Sequence, residues 1–224
     1  MFHRRTLLAS ALASSLPWPA WAQSSTGSSG KNSLTLGMAL EPPMLDPTVS
    51  AAAAIGEIVH YNLFETLTKI TPEGTVLPLL AQRWEVAPDS KTFTFHLRQD
   101  AQFHNGQPLT ADSVQFSFAR AASSTSTNKD KALFAQLKVT AKDRFTVVIE
   151  SAHSNPDLLF LLGQATAIIV EPQSAATNAT TPVGTGPYMF KEWVAKDRIV
   201  VVKNPDYNWG PPFWNHAGPA YLDQ

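Results

Sequence analysis

Cysteine is absent from the sequence, which excludes disulfide bonds and thiolate metal sites. Basic charge is also scarce, since 17 Lys and Arg residues stand against 18 Asp and Glu residues. A chain without a concentrated basic face is unsuited to binding the phosphate backbone, so nucleic acid is not an expected partner. Beyond the N-terminus no apolar run approaches the roughly 20 residues of a membrane-spanning helix, and we expect no stable membrane insertion.

The motifs of common enzyme classes are missing as well. The sequence contains no G-x-S-x-G, G-x-x-x-x-G-K-[ST], H-E-x-x-H or G-x-G-x-x-G pattern. Gly184-Thr185-Gly186 is followed by Pro187 where a phosphate loop would open a helix, so we interpret it as a backbone turn into a strand. The histidines share no short metal-ligand spacing. We therefore predict no catalytic residue, no metal site and no cofactor.

The N-terminus has the pattern of an export signal. A basic start with Arg4-Arg5 precedes a short apolar run and then Ala20-Trp21-Ala22, which fits a cleavage site of the A-x-A type. We predict a signal peptide over residues 1–22, cleaved after Ala22, and a flexible tether rich in Ser, Thr and Gly over residues 23–33. The paired arginines fit either the twin-arginine or the ordinary export route. The mature protein is then expected in the periplasm.

The clearest local pattern is a hairpin. Apolar residues alternate through residues 92–97, which is the period of a half-buried strand, and Trp84 and Val86 alternate in the same way upstream. Between the two runs, Pro88-Asp89-Ser90-Lys91 has turn chemistry. We predict an antiparallel hairpin in which Trp84 and Phe95 are buried partners.

The other patterns predict a mixture of helices and strands. Thr110 is placed as the N-cap of a helix whose buried face is ambiguous, because Val114, Phe116 and Phe118 lie two residues apart. The prolines at residues 42–47 forbid regular structure there, and Asp46 is expected to cap its own turn rather than form a catalytic carboxylate pair with Glu41. Further helices are predicted at 51–67 and 157–163, and further strands at 34–38, 76–80, 138–150 (as a hairpin), 187–190 and 198–202.

Four motifs, in order, resemble those of the peptide/nickel-type (family 5) solute-binding proteins of bacterial ABC importers. They are Leu45-Asp46-Pro47, the run from Ala81 to Val114 with its Trp84, Phe95, Leu97, Arg98, Phe103 and Gly106, then Gly184-Thr185-Gly186-Pro187-Tyr188, and Asn204-Pro205-Asp206-Tyr207. The resemblance implies an α/β (mixed) fold, namely a periplasmic binding protein-like lobe with a mixed sheet and an extra hairpin-containing subdomain at about residues 70–180. Residues 34–224 would form the N-terminal lobe, truncated at the C-terminus and lacking most of the second lobe.

The resemblance also implies a function without covalent chemistry. The protein would be the extracytoplasmic substrate-binding component of an ABC importer, which captures di- or oligopeptides and delivers them to permease subunits. The loop after the first strand would border the ligand, so that Glu41 pairs with a ligand ammonium and the backbone near Pro42 supplies a carbonyl. Glu57 and Tyr61, one helical turn apart, would line the same opening. Each of the four can instead be an ordinary surface or packing residue.

Two alternatives to peptide capture stay open. In the first, the same type of binder carries a nickel chelate or another small solute. In the second, the chain belongs to an extracytoplasmic enzyme whose catalytic residues lie outside this sequence. The aromatic-rich stretch at residues 207–221 is expected to leave ring surface that another part of the protein covers, although about half of its rings can instead pack on the same lobe.

Overall fold

The computed structural model describes residues 32–211, 216 and 218–224, so the predicted signal peptide and most of the tether lie outside the described residues. The helices are α1 (Ala53–Val59), α2 (Ala111–Ala122), α3 (Lys131–Phe134) and α4 (Leu158–Leu161), with a 3-10 turn at Ala165–Ala167. The strands are β1 (Thr68–Ile70), β2 (Val76–Pro78), β3 (Ala81–Val86), β4 (Thr92–Leu97), β5 (Leu137–Asp143), β6 (Thr146–Ser151), β7 (Tyr188–Val194) and β8 (Arg198–Lys203). The predicted α/β class is confirmed.

The central sheet has four strands in the order β3-β4-β6-β5, while β1-β2 and β7-β8 form separate two-stranded ribbons. Every pairing between these strands is antiparallel. The strands within each hairpin follow one another through short turns, which join antiparallel neighbours, whereas parallel pairs need a long crossover. The mixed sheet expected for the lobe is therefore not formed by the described residues.

The predicted hairpin is confirmed as β3 and β4. Trp84 lies directly opposite Phe95, and their ring centres are 6.3 Å apart. In the connecting turn the backbone N–H of Lys91 donates to the Asp89 carboxylate at 3.0 Å. Phe95 is fully buried, but Trp84 is only half-buried and Val86 is 41% exposed, because β3 is the edge strand of its sheet. The predicted pairing of Trp84 with Phe95 is confirmed, and the predicted burial holds for Phe95 but was wrong for Trp84.

Helix α2 begins one residue after Thr110, which has the extended conformation of an N-cap residue. Val114 and Phe118, one turn apart, are buried in the core against the four-stranded sheet. Phe116 points the other way and packs against a second cluster. Apolar residues at 114, 116 and 118 therefore lie two apart because α2 contacts an apolar cluster on each of two sides.

Two predicted elements differ in the structure. Leu34–Met38 forms no strand; it has no ladder partner in the described part of the chain, and Leu34 and Leu36 are 58% and 69% exposed. The helix predicted over residues 51–67 ends at Val59. Tyr61 takes a φ of 62°, in the left-handed region that a continuing α-helix cannot use, and its N–H donates to the Phe64 carbonyl.

The later hairpins match their predictions with shifted turns. In the β5–β6 hairpin the turn lies at Arg144 and Phe145, later than expected. Strand β7 continues through Trp193, which the sequence pattern had placed in the connection to β8. The actual β7–β8 turn contains Lys196, whose φ of 62° suits a reversal. The short apolar helix is present as α4.

The aromatic stretch near the C-terminus is divided between core and surface. Tyr207 and Trp209 are buried, as the alternative of packing on the same lobe allows for part of the stretch, and their ring centres are 4.8 Å apart. Tyr221 is 70% exposed, as expected. Phe213 and Trp214 lie outside the described residues.

Two apolar clusters organise the described residues. The first lies between the four-stranded sheet and α2 and also contains Leu67, while the second surrounds α1 and contains Leu63 and Phe64. The segment between α1 and β1 therefore passes from one cluster to the other. Its residues Tyr61 and Asn62 form part of the wall of a cavity.

Candidate ligand-binding cavity

A cavity of about 520 Å³ opens where three parts of the chain meet. This volume lies within the usual range of small-molecule sites. The walls come from the segment between α1 and β1, from the start of β7 and from the C-terminal residues. The described lining residues are Tyr61, Asn62, Lys69, Pro187, Tyr188, His216, Gly218, Ala220, Tyr221 and Leu222.

The turn that leads into β7 touches the opposite wall backbone to backbone. The N–H of Gly186 donates to the Leu63 carbonyl at 3.0 Å, and the N–H of Tyr188 donates to the Asn62 carbonyl at 3.0 Å. A Cβ at Gly184 would lie 1.9 Å from the Leu63 oxygen, so no larger residue fits there. The interpretation of Gly184-Thr185-Gly186 as a turn into a strand is confirmed, and the turn places Tyr188 beside Asn62.

The turn at residues 184–186 is also held by His104, whose role was not identified from the sequence. Its Nδ1 accepts a hydrogen bond from the Gly184 N–H at 3.2 Å, and its Nε2 donates to the Gly186 carbonyl at 3.0 Å. The backbone N–H of His104 also donates to the Gly184 carbonyl. This pattern requires the neutral ring with its proton on Nε2. Burial, against the smaller effect of the Gly186 hydrogen bond, lowers the pKa of His104 to about 4.

Tyr61 presents its ring, rather than a free hydroxyl, to the cavity. Its hydroxyl donates to the Gly163 carbonyl at 2.8 Å and accepts from the Ile70 N–H at 3.1 Å. The His60 ring stacks on it at 3.7 Å between ring centres, and the Lys69 ammonium lies 3.8 Å from the ring centre. Burial is the main cause that raises the pKa of Tyr61. A left-handed tyrosine backbone costs about 1 to 3 kcal/mol, and such strain clusters at ligand sites.

A buried carboxylate lies four residues before Lys69 in the chain. Glu65 accepts a hydrogen bond from the Tyr207 hydroxyl at 2.7 Å and from the Trp209 indole N–H at 3.0 Å. Burial raises the pKa of Glu65, while these two donors and Lys69 act in the opposite direction. Burial also lowers the pKa of the Lys69 ammonium, and Glu65 opposes that change. The two donors attach the C-terminal aromatic residues to the segment that ends at β1.

Of the four predicted ligand-contact residues, only Tyr61 lines this cavity. Glu41 is exposed, and its Oε1 accepts from the Trp193 indole N–H at 3.1 Å and from the Lys196 N–H at 2.9 Å in the β7–β8 turn. Pro42 is buried, and Glu57 is exposed on α1. The structure therefore does not bring these four into one cavity wall, and their contact with ligand stays a prediction.

Asp46 caps its own turn, as expected, and also forms a buried ion pair. The carboxylate accepts from the Thr48 N–H at 2.9 Å and from the Arg120 guanidinium at 2.9 Å. Arg120 extends from α2 and donates to the Ala175 carbonyl as well. Since Asp46 is fully buried, it cannot reach a substrate together with Glu41. The pair anchors the proline-rich loop to α2.

Two features are absent from the described residues. Within residues 32–211, 216 and 218–224, no group of three or more His, Cys, Asp or Glu side chains is placed to hold a metal ion. In the same part of the chain, no helix has both the length and the apolar character needed to cross a membrane.

Solved structures with the same fold identify the class as solute-binding proteins. The PBP AgaA of A. tumefaciens R10, in complex with agropinic acid, has a TM-score of 0.69 and 30% sequence identity over 75% of this chain and 35% of that chain. OppA of Haemophilus influenzae, in complex with RPPGFSPFR, has a TM-score of 0.68 and 26% identity over 75% of this chain and 37% of that chain.

The model of the bacterial extracellular solute-binding proteins, family 5 Middle, matches residues 75–224, so the chain belongs to this family. The resemblance stated from the four motifs is thereby confirmed. The probable D,D-dipeptide-binding periplasmic protein DdpA of Escherichia coli K12 is 30% identical over 223 residues, which cover 93% of this chain and 42% of the relative. The chain thus spans less than half the length of this curated relative.

Proposed function

We propose that the chain is part of the extracytoplasmic substrate-binding component of an ABC importer, and that it captures di- or oligopeptides for delivery to permease subunits. The observation that carries this proposal is the family 5 match over residues 75–224. The names of two similar proteins support the ligand class, since DdpA is described as a probable D,D-dipeptide-binding protein and OppA is in complex with RPPGFSPFR. The protein acts by binding and release, not as an enzyme.

The cavity and its surroundings support this proposed mode of ligand capture. A peptide binds through its backbone and ends, while its side chains lie against the rings of the cavity. In this proposal the Glu41 carboxylate pairs with a ligand ammonium, the backbone near Pro42 supplies a carbonyl, and Glu57 lines the same opening as Tyr61. Bound ligand favours the conformation in which all of these contacts form, because that conformation binds the ligand more tightly.

The mature protein works in the periplasm in this proposal. Export uses residues 1–22 as a signal peptide, with cleavage after Ala22 and Arg4-Arg5 available to the twin-arginine route. Intact mass of the exported protein tests the cleavage, since a mature protein must begin at Gln23. Export that survives replacement of both arginines by lysine would assign the ordinary route.

A small solute that is not a peptide is the second candidate ligand. AgaA, at 30% identity and a TM-score of 0.69, is in complex with agropinic acid. The family resemblance adds nickel chelates to this candidate class. Much of the discrimination between ligands depends on parts of the protein beyond the 42% of the relative's length that this chain spans.

Isothermal titration calorimetry separates the candidates. The purified protein is titrated with di- to pentapeptides, agropinic acid and a nickel–histidine chelate. Saturable heats with peptides alone support the proposal, and binding of agropinic acid or the chelate without any peptide would replace it with the second candidate. Mass spectrometry of the recovered peptides tests the enzyme alternative, because a binding protein returns them uncleaved.

A further inference from the structure

We propose that two copies of this chain associate through residues 32–38, with the two segments antiparallel and Leu36 of one copy opposite Leu36 of the other. The inference goes beyond the proposed function, because it concerns self-association and involves no ligand contact. Four observations on this segment carry it, namely its exposed side chains, its unpaired backbone, its lack of charge and its register.

The segment exposes a stripe of large apolar side chains. Leu34, Leu36 and Met38 are 58%, 69% and 45% exposed. The residues between them are small, and a Cβ added at Gly37 would have no neighbouring atom within 4 Å. Residues 32–38 contain no helix, turn or bend, and side chains alternate between the two faces of an extended chain, so the three large residues share one face. Contiguous exposed apolar side chains of this kind mark an interaction surface.

One edge of the segment is open for strand pairing. The Leu34 N–H donates to the Gln224 carbonyl at 2.9 Å, which places the C-terminal residues along the first edge. Successive residues of an extended chain direct their N–H and C=O groups to opposite edges, so Ser33, Thr35 and Gly37 direct theirs to the second edge. No described residue forms a backbone hydrogen bond with these three. An unpaired edge is a template for another strand.

The segment also lacks the features that usually protect an edge strand. Residues 32–40 contain no Asp, Glu, Lys or Arg and no proline. An uncharged edge does not select a charged partner, whereas its apolar stripe is matched by an identical stripe. A second copy of the chain therefore has the chemistry that this edge requires.

Two-fold symmetry defines the register. In an antiparallel pair centred on Leu36, Leu34 of each copy lies opposite Met38 of the other, so that all the large side chains share one face of the new ribbon. A register shifted by one residue would place the two stripes on opposite faces. The Leu36 N–H faces the first edge, so the two Leu36 residues form a pair without hydrogen bonds between them. A two-fold interface of this kind closes at a dimer.

Disulfide trapping tests the register, because the protein has no cysteine of its own. Residues that face each other without exchanging hydrogen bonds have Cα atoms about 4.5 Å apart, which suits a disulfide. Leu36→Cys should therefore give a covalent dimer on mild oxidation. Phe160→Cys, at an apolar residue that is 39% exposed on α4, is the matched control and should remain largely uncrosslinked. Equal crosslinking of the two variants would indicate random collision and overturn the inference.

Sedimentation velocity measures the association without a crosslink. We expect the unaltered protein to form dimers, and Leu36→Lys to weaken the association at least tenfold by placing two like charges opposite each other. Phe160→Lys should leave it unchanged, and both substitutions lie at exposed positions that the fold tolerates. A monomeric unaltered protein would overturn the inference and leave the edge to another occupant, such as a strand of a longer form of the protein. Assemblies larger than a dimer would also overturn it.

Discussion

Acid should loosen the turn behind the cavity by protonating His104. Nδ1 of this ring accepts the Gly184 N–H, so a proton on Nδ1 removes that hydrogen bond and places a charge in a buried site. The pKa of His104 is lowered from 6.5 to about 4, mainly by burial. A difference of this size corresponds to about 3 kcal/mol of folding stability.

The direction of the effect follows from the two pKa values. Between pH 6.5 and about 4 the unfolded chain binds a proton that the folded protein does not. Stability from His104 is therefore complete above pH 6.5, falls as the pH drops, and is exhausted below about pH 4. His60 adds a similar contribution, because burial, with help from Lys69, lowers its pKa to about 4 as well.

Urea denaturation at pH 7 and pH 4.5 measures the effect. His104→Gln keeps a side-chain donor for the Gly186 carbonyl but cannot take up the proton, so its stability should fall less between the two pH values, by roughly 2 to 3 kcal/mol. His153→Gln, at an exposed position, is the control and should behave like the unaltered protein. If His104→Gln loses as much stability on acidification as the unaltered protein, His104 is not the group responsible and the reasoning fails.

Three further substitutions test the packing by urea denaturation at pH 7. Trp84→Ala should lower the unfolding free energy by about 2 kcal/mol, which is less than for a fully buried ring because the Trp84 side chain is half-buried. An unchanged unfolding free energy would contradict the packing of Trp84 on the core. Gly184→Ala should cost more than about 2 kcal/mol, since its Cβ would lie 1.9 Å from a carbonyl oxygen, and a neutral result would refute that contact. Arg120→Ala should lower the unfolding free energy by about 3 to 5 kcal/mol, because buried Asp46 loses its ion pair. Arg83→Ala, which breaks an exposed ion pair, is the control and should change the unfolding free energy little. Equal effects of the two substitutions would contradict the difference in burial.

Local patterns were sufficient for the central hairpin and for the start of α2. Alternating apolar residues and the turn at residues 88–91 act over a few residues, so the sequence alone predicts β3 and β4. The burial of Trp84 was not predictable in the same way. It depends on β3 being an edge strand, and strand order is set by contacts between distant segments. The same limit explains why Leu34–Met38, with a good alternating pattern, has no strand partner within the part of the chain that the structure describes.

Tyr61 shows a second limit of pattern reasoning. Apolar residues at helical spacing continue past it to Leu67, and no glycine or proline between residues 57 and 67 marks an end of the helix. The chain nevertheless reverses at Tyr61, and the bonds to Gly163 and Ile70 show what compensates for the strained backbone. Gly163 is 102 residues away in the sequence, so no local signal announces it.

Three of the four short motifs that revealed the family meet at the turn that enters β7. The Asn204 side-chain amide donates a hydrogen bond to the Gly186 carbonyl, and the Asn204 backbone N–H donates to the Pro187 carbonyl. The motif that begins at residue 204 therefore fixes the turn that enters β7. His104, which lies in the motif from Ala81 to Val114, forms hydrogen bonds with Gly184 and Gly186 of the same turn. Residues that hold a turn in a single geometry are constrained by backbone contacts, whereas residues that face a ligand are constrained by the ligand. The motifs therefore identify the scaffold, whereas residues that contact a ligand must be identified from the cavity that they line.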